Sequence, residues 1–250
     1  MTPRQPPPVS HDPSADRSAE TRARILDAAL SEFSAKGLAG ARTEQIAVAA
    51  GVNKALLYYY FESKEGLYSA ALEMVSERVR DRSMAILRRD VSPGERLLRA
   101  ALDHFDRILT QREFQSLMQQ EMMRLHKGEE GMLPILVKQV FEPLQNLFLS
   151  IVQEGIAFDE LIEVDGMQMI LAALGGNVFY FLSAPVWRLS MSFEPFDRKV
   201  LAARRAALLD FLGKAVFRDR ERGAELAARV LADSPLPEFP DFKGLEVKNQ

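Results

Sequence analysis

The sequence contains no cysteine among its 250 residues. That excludes disulfide scaffolds, thiol catalysis and Cys-ligated zinc or iron–sulfur sites. No run approaches the roughly 18 unbroken apolar residues of a membrane span, so no membrane partner is expected. There is no strand-like alternation, no fixed-period repeat, no glycine-rich phosphate loop after a strand, no nucleophile elbow and no HExxH, and a non-enzyme without cofactors is expected. His104 and His126, with Glu121 nearby in sequence, match no strong ligand spacing, and no metal is expected there. A formal net charge of -3, from 32 Lys+Arg against 35 Asp+Glu, lacks the basic balance of a chain that coats nucleic acid. What remains, at 47% hydrophobic and 27% charged, is an ordinary globular composition, long enough for one large domain or two smaller ones.

Proline marks both ends. Residues 1–19 hold Pro3, Pro6, Pro7, Pro8 and Pro13, with Val9 the one large apolar residue beyond Met1. Such a segment buries too little surface to offset its ordering entropy, and a disordered arm is expected. It has no basic start, apolar middle and small-residue cleavage site, and together with the missing cysteines this fits a cytoplasmic protein. Residues 233–250 carry Pro235, Pro237 and Pro240. They read equally as a loose tail or as a strap packing Leu236, Phe239 and Phe242 onto the body. Between the ends the spacing is helical almost throughout, and the expected fold class is all-α. Ile25, Leu26, Ala29, Leu30 and Phe33 mark a first helix, with Gly37 as its C-cap. Ser63 opens a long helix toward Leu87. Ser92-Pro93-Gly94-Glu95 is a capping box with proline in the first turn. Further helices are expected near 114–125, 133–152, 166–182, 197–217 and 221–231.

The chemistry lies in TEQIAVAAGVNKALLYYYFESK, residues 43–64. It reads as helix, tight turn, helix. Thr43 caps the first helix, Ile46 and Ala47 face inward, and Ala50 leaves room for a close crossing. Gly51 supplies the turn with positive φ, Val52 plugs the core, and Asn53 caps the second helix. A helix-turn-helix of this layout sends its second helix into the DNA major groove, N-terminus first. Lys54, Tyr58, Tyr59 and Tyr60 cluster on that helix, with Lys64 one turn beyond. Hydroxyls and ammoniums suit phosphates, and the rings suit sugars or thymine methyls. The alternative is a solvated amphipathic helix whose tyrosines rest half-buried on the first helix.

The stretch ILDAALSEFSAKGLAGARTEQIAVAAGVNKALLYYYFESKEGLYSAAL closely resembles the N-terminal domain of the TetR family of bacterial transcriptional regulators. The match runs over about residues 22–72. The resemblance implies a three-helix DNA-binding head over 20–66, followed by a helical effector-binding and dimerisation domain over 67–232. It implies that Thr43, Tyr60 and Lys64 contact phosphate, and that Asn53, Lys54, Ala55 and Leu56 lie nearest the base edges. Tyr58 and Tyr59 would touch both, with Arg22 and Arg24 adding backbone contacts, the alternative for Arg24 being a pair with a nearby acid. Two positions depart from the family pattern. Leu56 stands where a small or hydroxyl residue is frequent, and would read a thymine methyl or pack on Tyr60. Glu44 stands where some members are basic; it can help cap the helix but cannot hold a phosphate.

Beyond about residue 90 no family motif is legible. Phe105, Phe114, Met118, Met122, Phe148 and Phe179 are candidate liners of an effector pocket, suited to a bulky apolar or aromatic ligand. Gly175 and Gly176, with Ala203, Ala207 and Phe211, are candidates for a twofold helical dimer interface; the alternative is that the glycines relieve crowding within one subunit. The resulting expectation is a homodimeric, ligand-responsive repressor on a pseudo-palindromic double-stranded operator, released by a small effector. An activator or constitutive regulator, or a helical enzyme or carrier, is the alternative. The head alone does not look basic either. From Glu20 to Lys64, six cations (Arg22, Arg24, Lys36, Arg42, Lys54, Lys64) face five acids (Glu20, Asp27, Glu32, Glu44, Glu62), so placement must outweigh total charge.

Overall fold

The computed structural model describes residues 13–191 and 193–239. Among these there is no strand, only an isolated bridge between Leu161 and Phe217, and the fold is all-α. The chain divides into two compact units between Val75 and Ser76, within the fourth helix.

In the first unit, α1 (Pro13–Gly40) begins inside the segment expected to be disordered. Proline at a helix start forfeits no hydrogen bond, so Pro13 opens a helix instead of preventing one. Residues 1–12 lie outside the described residues. At Gly37 the backbone leaves helical geometry with φ 70°, as its C-cap reading required, and one more turn follows. Ile25, Leu26, Ala29 and Phe33 are buried. Glu32 accepts from Lys36 Nζ at 2.9 Å and from the Arg42 backbone N–H at 3.1 Å, tying the corner into α2 (Thr43–Ala50). Both bonds favour the ionised carboxylate, and the Lys36 ammonium holds Glu32 below its usual range. The N-cap of α2 is Arg42, in extended conformation, with Thr43 already inside the helix. Gly51 closes α2 in the left-handed region at φ 66°, and α3 (Lys54–Phe61) follows. The first turns of α4 (Lys64–Leu87) bury Leu67, Tyr68, Ala71, Leu72 and Val75. Tyr68 sets its ring edge-on to Phe33 at 5.1 Å. The head therefore extends past residue 66, because its core needs the inward stripe of α4.

In the second unit, α5 (Pro93–Thr110) is the central helix, packing against α8, α9, α10 and α11. Ser92 caps it, accepting from the Glu95 N–H at 3.3 Å. The Glu95 carboxylate does not reach back to complete the box; it pairs with Arg99 and with Arg229 of α11. Around α5 lie α6 (Arg112–His126), the short α7 (Leu133–Leu136), and α8 (Glu142–Ala157), joined to α7 through a π turn. They are followed by α9 (Gly166–Met191), α10 (Arg198–Val216) and α11 (Arg220–Ala232). The last two cross at a pair of glycines: a Cβ on Gly213 would stand 2.4 Å from the Gly223 carbonyl oxygen. Asp197 and Asp219 cap their N-termini.

Residues 233–239 form the strap. Leu236 and Phe239 pack against the core. Arg205, 2% exposed, holds Asp106 through two bonds of 2.8 Å and donates to the Ser234 and Pro235 carbonyls. Arg99 adds an ion pair to Asp233 at 2.8 Å. Phe242 falls outside the described residues. Two helical stretches, 133–157 and 166–191, are long and apolar enough to cross a membrane by length and composition. The second is interrupted by Gly175, Gly176, Asn177, Pro185 and Arg188, and its inner side belongs to the core.

Candidate nucleic-acid interface and regulatory domain

The N-terminus of α3 is built by its cap. Asn53 takes extended dihedrals and its side-chain oxygen accepts from the Leu56 N–H at 2.7 Å. The cap satisfies a donor that would otherwise be orphaned at the helix start. Leu57 and Phe61 are buried, which turns Lys54, Ala55 and Tyr59 outward. Tyr59 is 80% exposed. Leu56, Tyr58, Tyr60 and Lys64 are half-buried. Tyr59 and Tyr60 meet edge-on at 5.5 Å, and Arg22 lies over the Phe61 ring at 5.2 Å.

Several of the expected phosphate contacts already have protein partners. Thr43 is buried and its hydroxyl lies 3.3 Å from that of Tyr58. It neither caps α2 nor stands open to solvent, because helix geometry starts at Thr43 itself. Lys54 pairs with Glu44 across the turn and sits 5.7 Å from the centre of the Tyr58 ring. Tyr60 shares a hydrogen bond of 2.9 Å with Ser18 of α1. Lys64 donates to the Ala39 carbonyl at 3.2 Å. The role of Glu44, open in the sequence, is thus resolved: its side chain is a partner for Lys54. The ammonium holds the Glu44 carboxyl below its usual range, and the carboxylate raises Lys54 in turn.

In the larger unit, Phe105, Phe114, Met118 and Phe148 are buried. Phe105 packs on Tyr180 at 5.7 Å and Phe181 at 5.0 Å. Met122 and Phe179 do not join them, being 48% and 60% exposed. The inward stripe of α6 runs through Phe114, Leu117, Met118 and Glu121, leaving Met122 about 100° aside. That of α9 runs through Met169, Ala173, Asn177 and Ala184. Phe179 belongs instead to an outward stripe of Met167, Leu171, Gly175, Phe179, Leu182, Val186 and Leu189. On α10, Ala203, Ala207 and the 65%-exposed Phe211 are also outward. A Cβ on Gly175 would meet nothing within 4 Å, and one on Gly176 only the Arg204 guanidinium at 3.9 Å. Crowding inside the subunit therefore does not account for the glycines.

Sequence reasoning did not foresee which polar groups are buried. Asn177 of α9, fully buried, donates to the Ala101 carbonyl at 3.0 Å and to His104 Nδ1 at 3.3 Å. Burial, then the nearby Arg107 charge, pushes the His104 imidazole down to about 3. Glu121 is buried between Arg124 and the Met132 N–H, while His126 is exposed at the end of α6. No group of three or more His, Asp or Glu side chains suited to a metal occurs among the described residues. A polar residue inside an apolar stripe was the available signal, and Asn177 carried it.

The model for bacterial regulatory proteins of the tetR family matches residues 25–71. The transcriptional repressor NicS of Pseudomonas putida is 36% identical over 115 residues, 46% of this chain and 53% of its own length. The regulator RutR of Escherichia coli is 57% identical over 51 residues, 20% of this chain and 24% of its own. The chain thus matches about half, or less, of these curated relatives. Among solved structures, a regulator from Saccharomonospora viridis in complex with choline superposes with a TM-score of 0.64 at 18% identity. That likeness covers 80% of this chain and 99% of the other, and so extends the shared fold into the larger unit. Residues 25–71, with the capped start of α3, thus carry the domain described by the model for bacterial regulatory proteins of the tetR family.

Proposed function

We propose that the protein is a cytoplasmic, homodimeric repressor of transcription, without enzymatic activity, that binds a pseudo-palindromic operator and leaves it when a small effector binds. The observation that carries this reading is α3, whose Asn53-capped start and outward Lys54, Ala55 and Tyr59 lie within the family-matched head. NicS, similar to this chain over 115 residues, is itself a transcriptional repressor. Support for the dimer comes from the outward apolar stripe of α9 and the exposed Phe211 of α10, with Gly175 free to admit a neighbouring backbone. Exposed apolar area of this kind marks an association surface. The burial of Phe105, Phe114, Met118 and Phe148 favours an apolar or aromatic effector, admitted by repacking.

Two heads on a dimer need half-sites about 34–36 Å apart or a multiple of that. An effector can shift the protein off DNA only by its differential affinity for the two states. The test is Tyr59→Ala in a salt-controlled gel shift on fragments captured from genomic DNA. It is expected to weaken binding about tenfold with the dimer intact, consistent with roughly 1–3 kcal/mol per base-directed contact. Wild-type affinity in the variant would remove α3 as the recognition helix. Phe211→Glu is expected to shift the dimer toward monomer in analytical ultracentrifugation, and an unchanged dimer would move the interface elsewhere.

A further inference from the structure

The DNA face of the head carries one formal negative charge in contact with a cation the operator needs. Glu44 lies in the first turn of α2 and Lys54 is the first residue of α3, and their side chains meet as an ion pair. Both side chains are about half exposed, at 59% and 48%, so the pair is open to solvent and to DNA. The neighbouring rung, Thr43 with Tyr58, fixes the same two helices side by side. Two other phosphate-directed groups are held by neutral partners: Tyr60 by the Ser18 hydroxyl and Lys64 by the Ala39 carbonyl. Lys54, in contrast to them, is held by an anion.

We propose that Glu44 is a built-in competitor of the DNA phosphate for Lys54, restraining sequence-independent DNA binding by the head. The inference rests on the DNA-binding reading and adds to it the residue that sets the head's electrostatic appetite. Sequence-independent affinity arises mainly from counterions released as phosphates are neutralised by Lys and Arg. A head with six cations against five acids between Glu20 and Lys64 has few cations to offer. Lys36 is already paired with Glu32, and Glu44 engages Lys54 as well. A phosphate approaching α3 must displace a carboxylate that carries the same charge. In the free protein both partners are ionised near neutrality, since each stabilises the charged form of the other. On the operator, the seated recognition helix makes base contacts that offset the displacement; on random DNA nothing does.

The experiment uses the full chain, as wild type, Glu44→Gln, Lys54→Gln and the double variant. Binding to a fluorescent duplex of random sequence is followed by anisotropy across a salt series. Glu44→Gln is expected to bind about twofold to fivefold tighter, the range of an exposed ion pair. Its log–log salt slope is expected to steepen by about 0.9, one additional phosphate neutralised. In the Lys54→Gln background the same change is expected to bring almost no gain. A Glu44→Gln protein with wild-type affinity and slope overturns the proposal. So does an equal gain with and without Lys54, which would mean that Glu44 merely repels DNA at a distance. If none of the four proteins binds the duplex even at the lowest salt, the DNA-binding reading itself fails and this inference with it. That result is distinct from normal wild-type binding with an inert Glu44.

Discussion

His104 makes stability depend on pH in a way that can be worked from its surroundings. Its Nδ1 accepts a hydrogen bond from the Asn177 amide, which requires a neutral ring. Burial and the nearby Arg107 charge push its pKa from 6.5 down to about 3. Unfolding frees the imidazole to take a proton at its ordinary value, so below that value the unfolded chain binds more protons than the folded one. Stability from this group is therefore present above pH 6.5 and falls as pH drops, levelling off near the folded value. Between neutrality and about pH 5 the loss is about 2 kcal/mol, at about 1.36 kcal/mol for each pH step below the unfolded value. Urea denaturation at fixed protein concentration, at about pH 7.5 and about pH 5, measures it directly. A His104→Asn variant, unable to titrate, is expected to lose that much less than wild type over the same interval. Equal losses in the two proteins would refute the buried neutral imidazole.

Two further outcomes concern packing. Gly213→Ala places a Cβ 2.4 Å from the Gly223 carbonyl oxygen and is expected to cost about 1–3 kcal/mol as α10 and α11 are forced apart; thermal unfolding checks it. Asn53→Ala removes the side-chain acceptor from the Leu56 N–H. It is expected to destabilise the head by about 1 kcal/mol, read as faster amide exchange at Leu56 than in wild type.

The head is the more legible half. Its caps and turn use residues with few alternatives: Gly51 for a positive φ, Asn53 for an N-cap, and an inward stripe of Ile46, Ala47 and Ala50. Thr43 sits one position inside the place its sequence suggests, because a threonine at a helix start serves as cap or as first residue with equal ease. The burial of its hydroxyl against Tyr58 depends on the neighbouring helix. The larger unit is legible as helices but not in its rotations. The helix α9 is apolar on both sides, one in the core and one exposed, so periodicity carries no phase and does not tell that Phe179 points outward. Pairings such as Arg205 with Asp106, 99 residues apart, have no local signal at all. The acid that answers Lys54 is visible in the sequence as an oddity, and only the turn geometry gives it a role.

The strap has a practical consequence for where this protein ends as a folding unit. Judged by helices, the body stops at Ala232. A chain cut there would leave the Arg205 guanidinium with Asp106 but without its two strap carbonyls, and would uncover core surface lined until then by Leu236 and Phe239. Deletions and fusions designed on the end of α11 would therefore disturb the core of the larger unit while leaving the described helices in place. Residues 233–239, which have no regular structure, thus belong to the core of the larger unit as much as its helices do.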